Sequence, residues 1–198
     1  MKTWQRLKAH PELWERYFVR ERTIRSIRHF FDSQQFHEVE TPILIAHPPA
    51  ESYLDVFKTT LLNRQRRAND AYLSTSPEVP LKKLMVAGLG NCYAVTKSFR
   101  NMETQGNLHN PEFTILEWYR VGSDYKDIMN DCEELVLRLL SVIPASEPES
   151  ALKRKMDSRP RLDRGQALRG NDRILKYQGQ TIDLTPPWER QIQVLLSM

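Results

Sequence analysis

Residues 99–119 carry the side chains with the clearest chemical purpose. Phe99-Arg100-Asn101 reads as a strand ending in an arginine, Met102 to Asn110 as a polar loop, and Phe113 to Tyr119 as a return strand. Residues two apart on a strand share a face, so Glu117 and Tyr119 stand beside Phe113 and Ile115. An acid on an otherwise apolar face is costly unless a cation meets it. That cation is either a bound ligand or an arginine of the chain. Arg100, at a strand end, offers planar paired donors that match phosphate oxygens. Activation of an amino acid with ATP needs such an arrangement. An arginine steadies the α-phosphate, the loop closes over the nucleotide, and acceptors on the return strand hold the amine.

The elements that must position these groups follow from periodicity. Residues 11–34 read as a helix, with Leu13, Tyr17, Ile24, Ile27 and Phe31 at near-helical spacing and Pro11 in the first turn. Five arginines lie between them and suit a solvated face or a polyanion. Val39 to Ile45 reads as a strand and Ser52 to Leu62 as extended chain, with a polar turn from Asn63 to Asp70. Pro77 to Ala87 predicts a short helix, with Leu81, Leu84 and Met85 inward and Gly88 at its end. Tyr93 to Phe99 and Phe113 to Tyr119 predict an antiparallel pair. Asp124 to Leu140 predicts a helix whose inner stripe runs from Tyr125 to Leu139, and Lys176 to Leu184 a hairpin. Strands and helices mix without βαβ alternation, which argues α+β with an antiparallel sheet flanked by helices.

Phe99-Arg100-Asn101, His109-Asn110-Pro111-Glu112-Phe113-Thr114 and Glu117-Trp118-Tyr119 resemble motif 2 of the class II aminoacyl-tRNA synthetases, lysyl branch. Phe36 to Leu44 resembles motif 1, and Ser74-Thr75-Ser76-Pro77-Glu78 followed by Leu81-Lys82-Lys83-Leu84 resembles the Ser-Pro-Glu element. The resemblance implies the class II catalytic fold. It implies roles in binding ATP for Arg100, Asn101, Glu103, His109 and Asn110, with Arg100 also stabilising the transition state. It implies that Ser76, Glu78, Glu117 and Tyr119 bind the amino acid, lysine. From its place alone, Glu78 reads as a helix cap, because the first turn favours negative charge. The resemblance further implies Mg²⁺ on the phosphates, a homodimer through motif 1, and an acyl acceptor that is tRNA or, as in paralogues without an anticodon domain, a lysine of elongation factor P.

The sequence departs from that pattern in three places. The motif 2 loop is longer by a residue, with Met102 where the family has a glutamate, so Glu103 takes that role by a shift of one. No Gly-rich segment ending in an arginine precedes Met198, so motif 3 is expected to be absent. Few residues precede the first helix, so an anticodon-binding barrel is expected to be absent. Residues 1–145 are read as the N-terminal part of the catalytic domain. Residues 146–173 are read as a basic, poorly ordered linker, and 174–198 as a remnant of the same domain. Two other readings remain open: an inactive fragment or pseudo-synthetase, and an RNA-binding module.

Composition sets the bounds. The 198 residues suffice for one core. No apolar run approaches the ~20 residues that cross a bilayer, the N-terminus lacks a signal-peptide core, and the cytoplasm is the expected compartment. Cys92 and Cys132 are isolated and expected to be free thiols. The net charge of +4 sits in one place: Lys153 to Arg173 holds eight basic and three acidic residues. The remaining 21 basic and 22 acidic residues nearly cancel. That basic segment has no aromatic interleaving for base stacking.

Overall fold

The structure is a computed structural model that describes residues 2–50, 53–102, 109–140, 142, 173–177, 180–186 and 188. The chain forms two compact units, Phe31–Ser123 and Met1–Phe30 with Asp124–Met198. The architecture is α+β, with four α-helices among the described residues.

The unit Phe31–Ser123 carries six strands and one helix. Strands β1 (His37–Glu38), β5 (Cys92–Phe99) and β6 (Glu112–Tyr119) form one sheet in the order β1-β5-β6. The β5–β6 ladder is antiparallel over eight pairs, and β1 joins β5 in parallel. Strands β2 (Leu44–Ile45), β3 (Lys58–Leu62) and β4 (Ala68–Leu73) form a second sheet in the order β2-β4-β3. The two sheets meet where the Phe99 amide donates to the Ser74 carbonyl at 2.9 Å. Of the expected strand Val39–Ile45 only Leu44–Ile45 forms, as β2, while β1 lies just before it. Pro42 has no amide hydrogen to give a ladder there.

Helix α3 (Glu78–Val86) starts after Pro77 and ends before Gly88, whose φ of +93° suits the left-handed residue after a helix. It packs on one face of β5 and β6. Leu81, Cys92 and Ala94 are fully buried, with Val39, Met85, Leu89 and Tyr119 around them. Leu84, expected inward, is 37% exposed. The opposite face of the same ladder is aromatic. Tyr93 lies opposite Trp118, and Phe31 stacks on Tyr93 with centroids 4.6 Å apart.

In the other unit, helix α1 (Thr3–Ala9) precedes a tight turn at Pro11–Leu13 and the long helix α2 (Trp14–Ser33), whose last turn enters the first unit. Arg22 and Arg25 pair with Glu15 and Glu21, each at 2.5 Å. Helix α4 (Tyr125–Leu140) is capped by Asp124, whose carboxylate accepts from the Lys126 amide at 2.7 Å. Its buried residues are Asp131, Glu133 and Leu135, while Tyr125 and Val136 of the expected inner stripe are exposed. Strands β7 (Ile174–Tyr177) and β8 (Gln180–Asp183) form the expected hairpin. Cys92 and Cys132 are free. The expected linker lies outside the described residues except at Arg173. No helix among the described residues is long and apolar enough to cross a membrane.

Candidate active site

The β5–β6 register places Ala94 opposite Glu117, Cys92 opposite Tyr119 and Ser98 opposite Phe113. Directly opposed residues of an antiparallel pair share a face, so Phe113, Ile115, Glu117 and Tyr119 line the face that α3 covers. The Tyr119 hydroxyl donates to Glu117 Oε1 at 2.6 Å, a short bond of the charge-assisted kind. Lys82, one turn into α3, pairs with Glu78 and holds its ammonium 5.8 Å from the Tyr119 ring centroid. Glu78, Lys82, Glu117 and Tyr119 are thus one cluster.

The electrostatics agree with that proximity. The Tyr119 phenol is held far above its usual range, first by burial, then by its bond to Glu117, with the Glu78 charge adding. Lys82 is raised mainly by its bond to Glu78, against a smaller opposing effect of burial, with the Glu117 charge also contributing. The cluster holds two carboxylates and one ammonium, a formal charge of −1 by that count.

Arg100 stands at the other end of the same face. Its amide extends the ladder by donating to the Pro111 carbonyl at 3.0 Å. Its guanidinium lies 5.3 Å from the Phe113 ring centroid, within cation–π range. Phe113 and Glu117 are four residues apart on β6, about 13 Å at the usual strand rise. The face therefore presents a cation-attracting end and an anion-attracting end at a fixed separation.

The other expected site residues are placed as follows. Ser76 accepts from the Glu78 amide at 3.3 Å, and its carbonyl accepts from the Ser74 hydroxyl at 2.8 Å, so it shapes the entry to α3. Asn101 bridges to Asp55 through its amide at 2.8 Å. Its side-chain oxygen accepts from the Met102 amide at 3.0 Å. Met102 is 70% exposed with φ +64°. Glu103 lies outside the described residues. His109 and Asn110 are exposed at the return of the loop, away from the Glu78 cluster along the strand.

Sequence reasoning gave no role to Lys82 or to the contact of Phe113 with Arg100. The four-residue spacing of Glu78 and Lys82 on a predicted helix was the signal for the first. No sequence signal marked the second, because it depends on the turn of the chain after Phe99. Among the described residues no three His, Cys, Asp or Glu side chains converge as a metal site.

Comparison with known proteins fits this geometry into a family. The profile of the tRNA synthetases class II (D, K and N) matches residues 2–190. The chain belongs to that family. Among its curated relatives is an elongation factor P--(R)-beta-lysine ligase of Avibacterium paragallinarum. The two are 41% identical over 127 residues, which is 64% of this chain and 39% of the relative. The ligase of the same name from Actinobacillus succinogenes is 39% identical over 132 residues, 66% of this chain and 41% of the relative. A lysine--tRNA ligase of Pelotomaculum thermopropionicum is 34% identical over 182 residues, 92% of this chain and 30% of the relative. The chain spans about two fifths or less of the length of these class II relatives.

Proposed function

We propose that this chain supplies the amino-acid-binding and α-phosphate-binding side of an ATP-dependent ligase that activates lysine or a close relative of it. The observation that carries the reading is the single β6 face. Glu117, Tyr119 and Glu78 offer acceptors for ammonium groups at one end, and Arg100 offers donors for a phosphate at the other.

Size supports the pairing. An extended lysine spans roughly 6 Å from Cα to ammonium, and roughly 10 Å when its carboxylate is joined to a phosphorus. A guanidinium contact beyond the phosphorus adds about 3 Å. That reach is of the same order as the Phe113–Glu117 spacing of about 13 Å along β6.

In the proposed reaction a lysine carboxylate oxygen attacks the α-phosphorus of ATP. The P–O bond to the leaving pyrophosphate breaks, giving lysyl-adenylate. Arg100 stabilises charge on the α-phosphoryl oxygens. Tyr119 positions the Glu117 carboxylate for the substrate's ammonium, and Glu78 takes a second amine. Glu103, His109 and Asn110 are assigned to the nucleotide by resemblance alone, and Ser76 and Asn101 to ordering the walls. Mg²⁺ enters this proposal only as the counter-ion of the phosphates.

The acyl group then passes to an amine or hydroxyl acceptor: the acyl carbon–oxygen bond to the phosphate breaks, AMP leaves, and the acceptor gives up a proton. The names of the relatives supply two candidates, tRNA and elongation factor P. A homodimer through Phe36–Leu44 and a cytoplasmic setting belong to the same proposal. So does the division of the chain into a catalytic part, a basic linker at 146–173 and a returning segment at 174–198.

Lysine-dependent ATP–pyrophosphate exchange tests the reading, with norleucine as the uncharged control. Exchange with lysine and none with norleucine supports it. Equal exchange with both sinks the assignment of Glu117 and Tyr119. Lysine binding without any exchange removes activation and leaves recognition.

A further inference from the structure

One carboxylate of the β6 cluster is already occupied. Lys82 lies four residues after Glu78 on α3, and its ammonium pairs with the Glu78 carboxylate. The Lys82 side chain is 55% exposed and that of Glu78 41%, so solutes reach both. The same ammonium stands 5.8 Å from the centre of the Tyr119 ring. Glu117, by contrast, is met by the neutral hydroxyl of Tyr119 at 2.6 Å. A substrate amine that takes Glu78 must therefore enter where an ammonium of the chain already sits.

The fold does not need that pairing to place Glu78. Its amide donates to the Ser76 hydroxyl at 3.3 Å, and Pro77 before it is fully buried. The first turn of a helix favours a negative charge in any case. An exposed ion pair four residues apart on a helix adds little to stability, so it exchanges readily for another.

Lys82 also has a place to go. Val79, Lys82, Lys83 and Val86 border an open hollow of about 320 Å³ on the outer side of α3. Val79 and Val86 are both exposed there. A lysine stem lies along such apolar side chains while its head stays in water. Displacement from Glu78 therefore leaves no charge stranded.

We infer that Lys82 is a specificity-determining residue: it competes with the substrate's second amine for Glu78 and so sets how much that amine adds to binding. This rests on the reading given under Proposed function, with the side-chain ammonium on Glu117 and the other amine on Glu78. A ligand that carries both amines must displace Lys82. A ligand with the side-chain ammonium alone leaves Lys82 where it is. The competition handicaps the first kind and spares the second. Without Lys82 the two carboxylates would face the ligand uncompensated, and the second amine would count for more.

The test is calorimetric titration of the full chain with lysine and with 6-aminohexanoate, which lacks the amine beside the carboxylate. The readout is the ratio of the two affinities. In Lys82→Met, which keeps the stem, the preference for lysine should rise about two- to fivefold, the scale of an exposed ion pair. Lys82→Arg keeps the cation and should hold the native ratio. In a Glu78→Gln background, Lys82→Met should no longer move the ratio. Circular dichroism checks the fold, and Lys82→Gln carries the same expectation should the methionine variant not fold. An unchanged or lower ratio overturns the inference, including one in which both ligands tighten equally. Glu117→Gln on the same ligands separates the two readings. If it weakens both ligands while Lys82→Met leaves the ratio alone, only the role of Lys82 falls. If the native chain binds neither ligand, or Glu117→Gln changes nothing, the proposed function falls and this inference with it.

Discussion

Replacing Tyr119 by phenylalanine removes one hydroxyl and leaves the ring that packs against Leu81, Cys92 and Ala94. The lost bond is 2.6 Å to the Glu117 carboxylate. Hydrogen bonds to charged groups contribute about 1.5–3 kcal/mol. Both partners are only half-buried, so water re-solvates Glu117 and the loss falls to about 1 kcal/mol. The pH dependence gives a second, independent reading of the same bond. The folded phenol is raised above its ordinary value of 10.0. Unfolded chains therefore release this proton first as pH rises, and deprotonation pulls the equilibrium toward unfolding. The stability due to the hydroxyl is full below pH 10 and declines as pH rises through and beyond that value. Phenylalanine has no proton to lose. Urea denaturation followed by circular dichroism at pH 8 and near pH 11 measures the gap between the two proteins. The gap should be about 1 kcal/mol at pH 8 and smaller at the higher pH. No gap at pH 8, or a gap that grows with pH, refutes the placement of the hydroxyl on Glu117.

Three further outcomes follow from the same geometry. Arg100→Lys keeps the charge and loses the planar pair of donors, so ATP affinity should fall by about 1–3 kcal/mol in calorimetry while lysine affinity holds. Equal loss of both would mean a folding defect instead. Lys82→Met should tighten lysine binding, because the substrate ammonium no longer competes with a resident one at Glu78. Weaker lysine binding in that variant would show that Lys82 assists the substrate. Thr75→Val should stabilise the fold, since the Thr75 hydroxyl is fully buried and without a hydrogen-bond partner among the described residues. The gain expected is about 1 kcal/mol in urea denaturation, and a loss of stability would reveal a partner.

The site was legible where a short period and a motif coincided. Glu117 and Tyr119 share a face because alternation on a strand is a local property, and the β5–β6 pairing needed only the loop between them. Helices α2, α3 and α4 were legible from apolar spacing and from Pro and Gly at their ends. What stayed hidden was decided by tertiary context. Helix α1 buries no residue, so no apolar stripe announced it. Val39–Ile45 looked like one strand, because β-branched composition does not show that only Leu44–Ile45, after Pro42, finds a ladder. Asp131 and Glu133 are buried on α4, while Tyr125 of the apolar stripe is exposed. Which side of that helix faces inward is set by its neighbours and not by its own period. The meeting of Lys82 with Tyr119 depends on how α3 crosses β6, which no spacing in the chain encodes.

The central claim is that the β6 face recognises an ammonium at one end and a phosphate at the other. Its most direct measurement is a calorimetric titration with two non-hydrolysable adenylate analogues, lysyl and norleucyl, which differ by the terminal ammonium. The lysyl analogue should bind about 10- to 100-fold more tightly, the scale of a charge-assisted hydrogen bond. Glu117→Gln should erase most of that difference. Equal affinity for the two analogues would contradict the account.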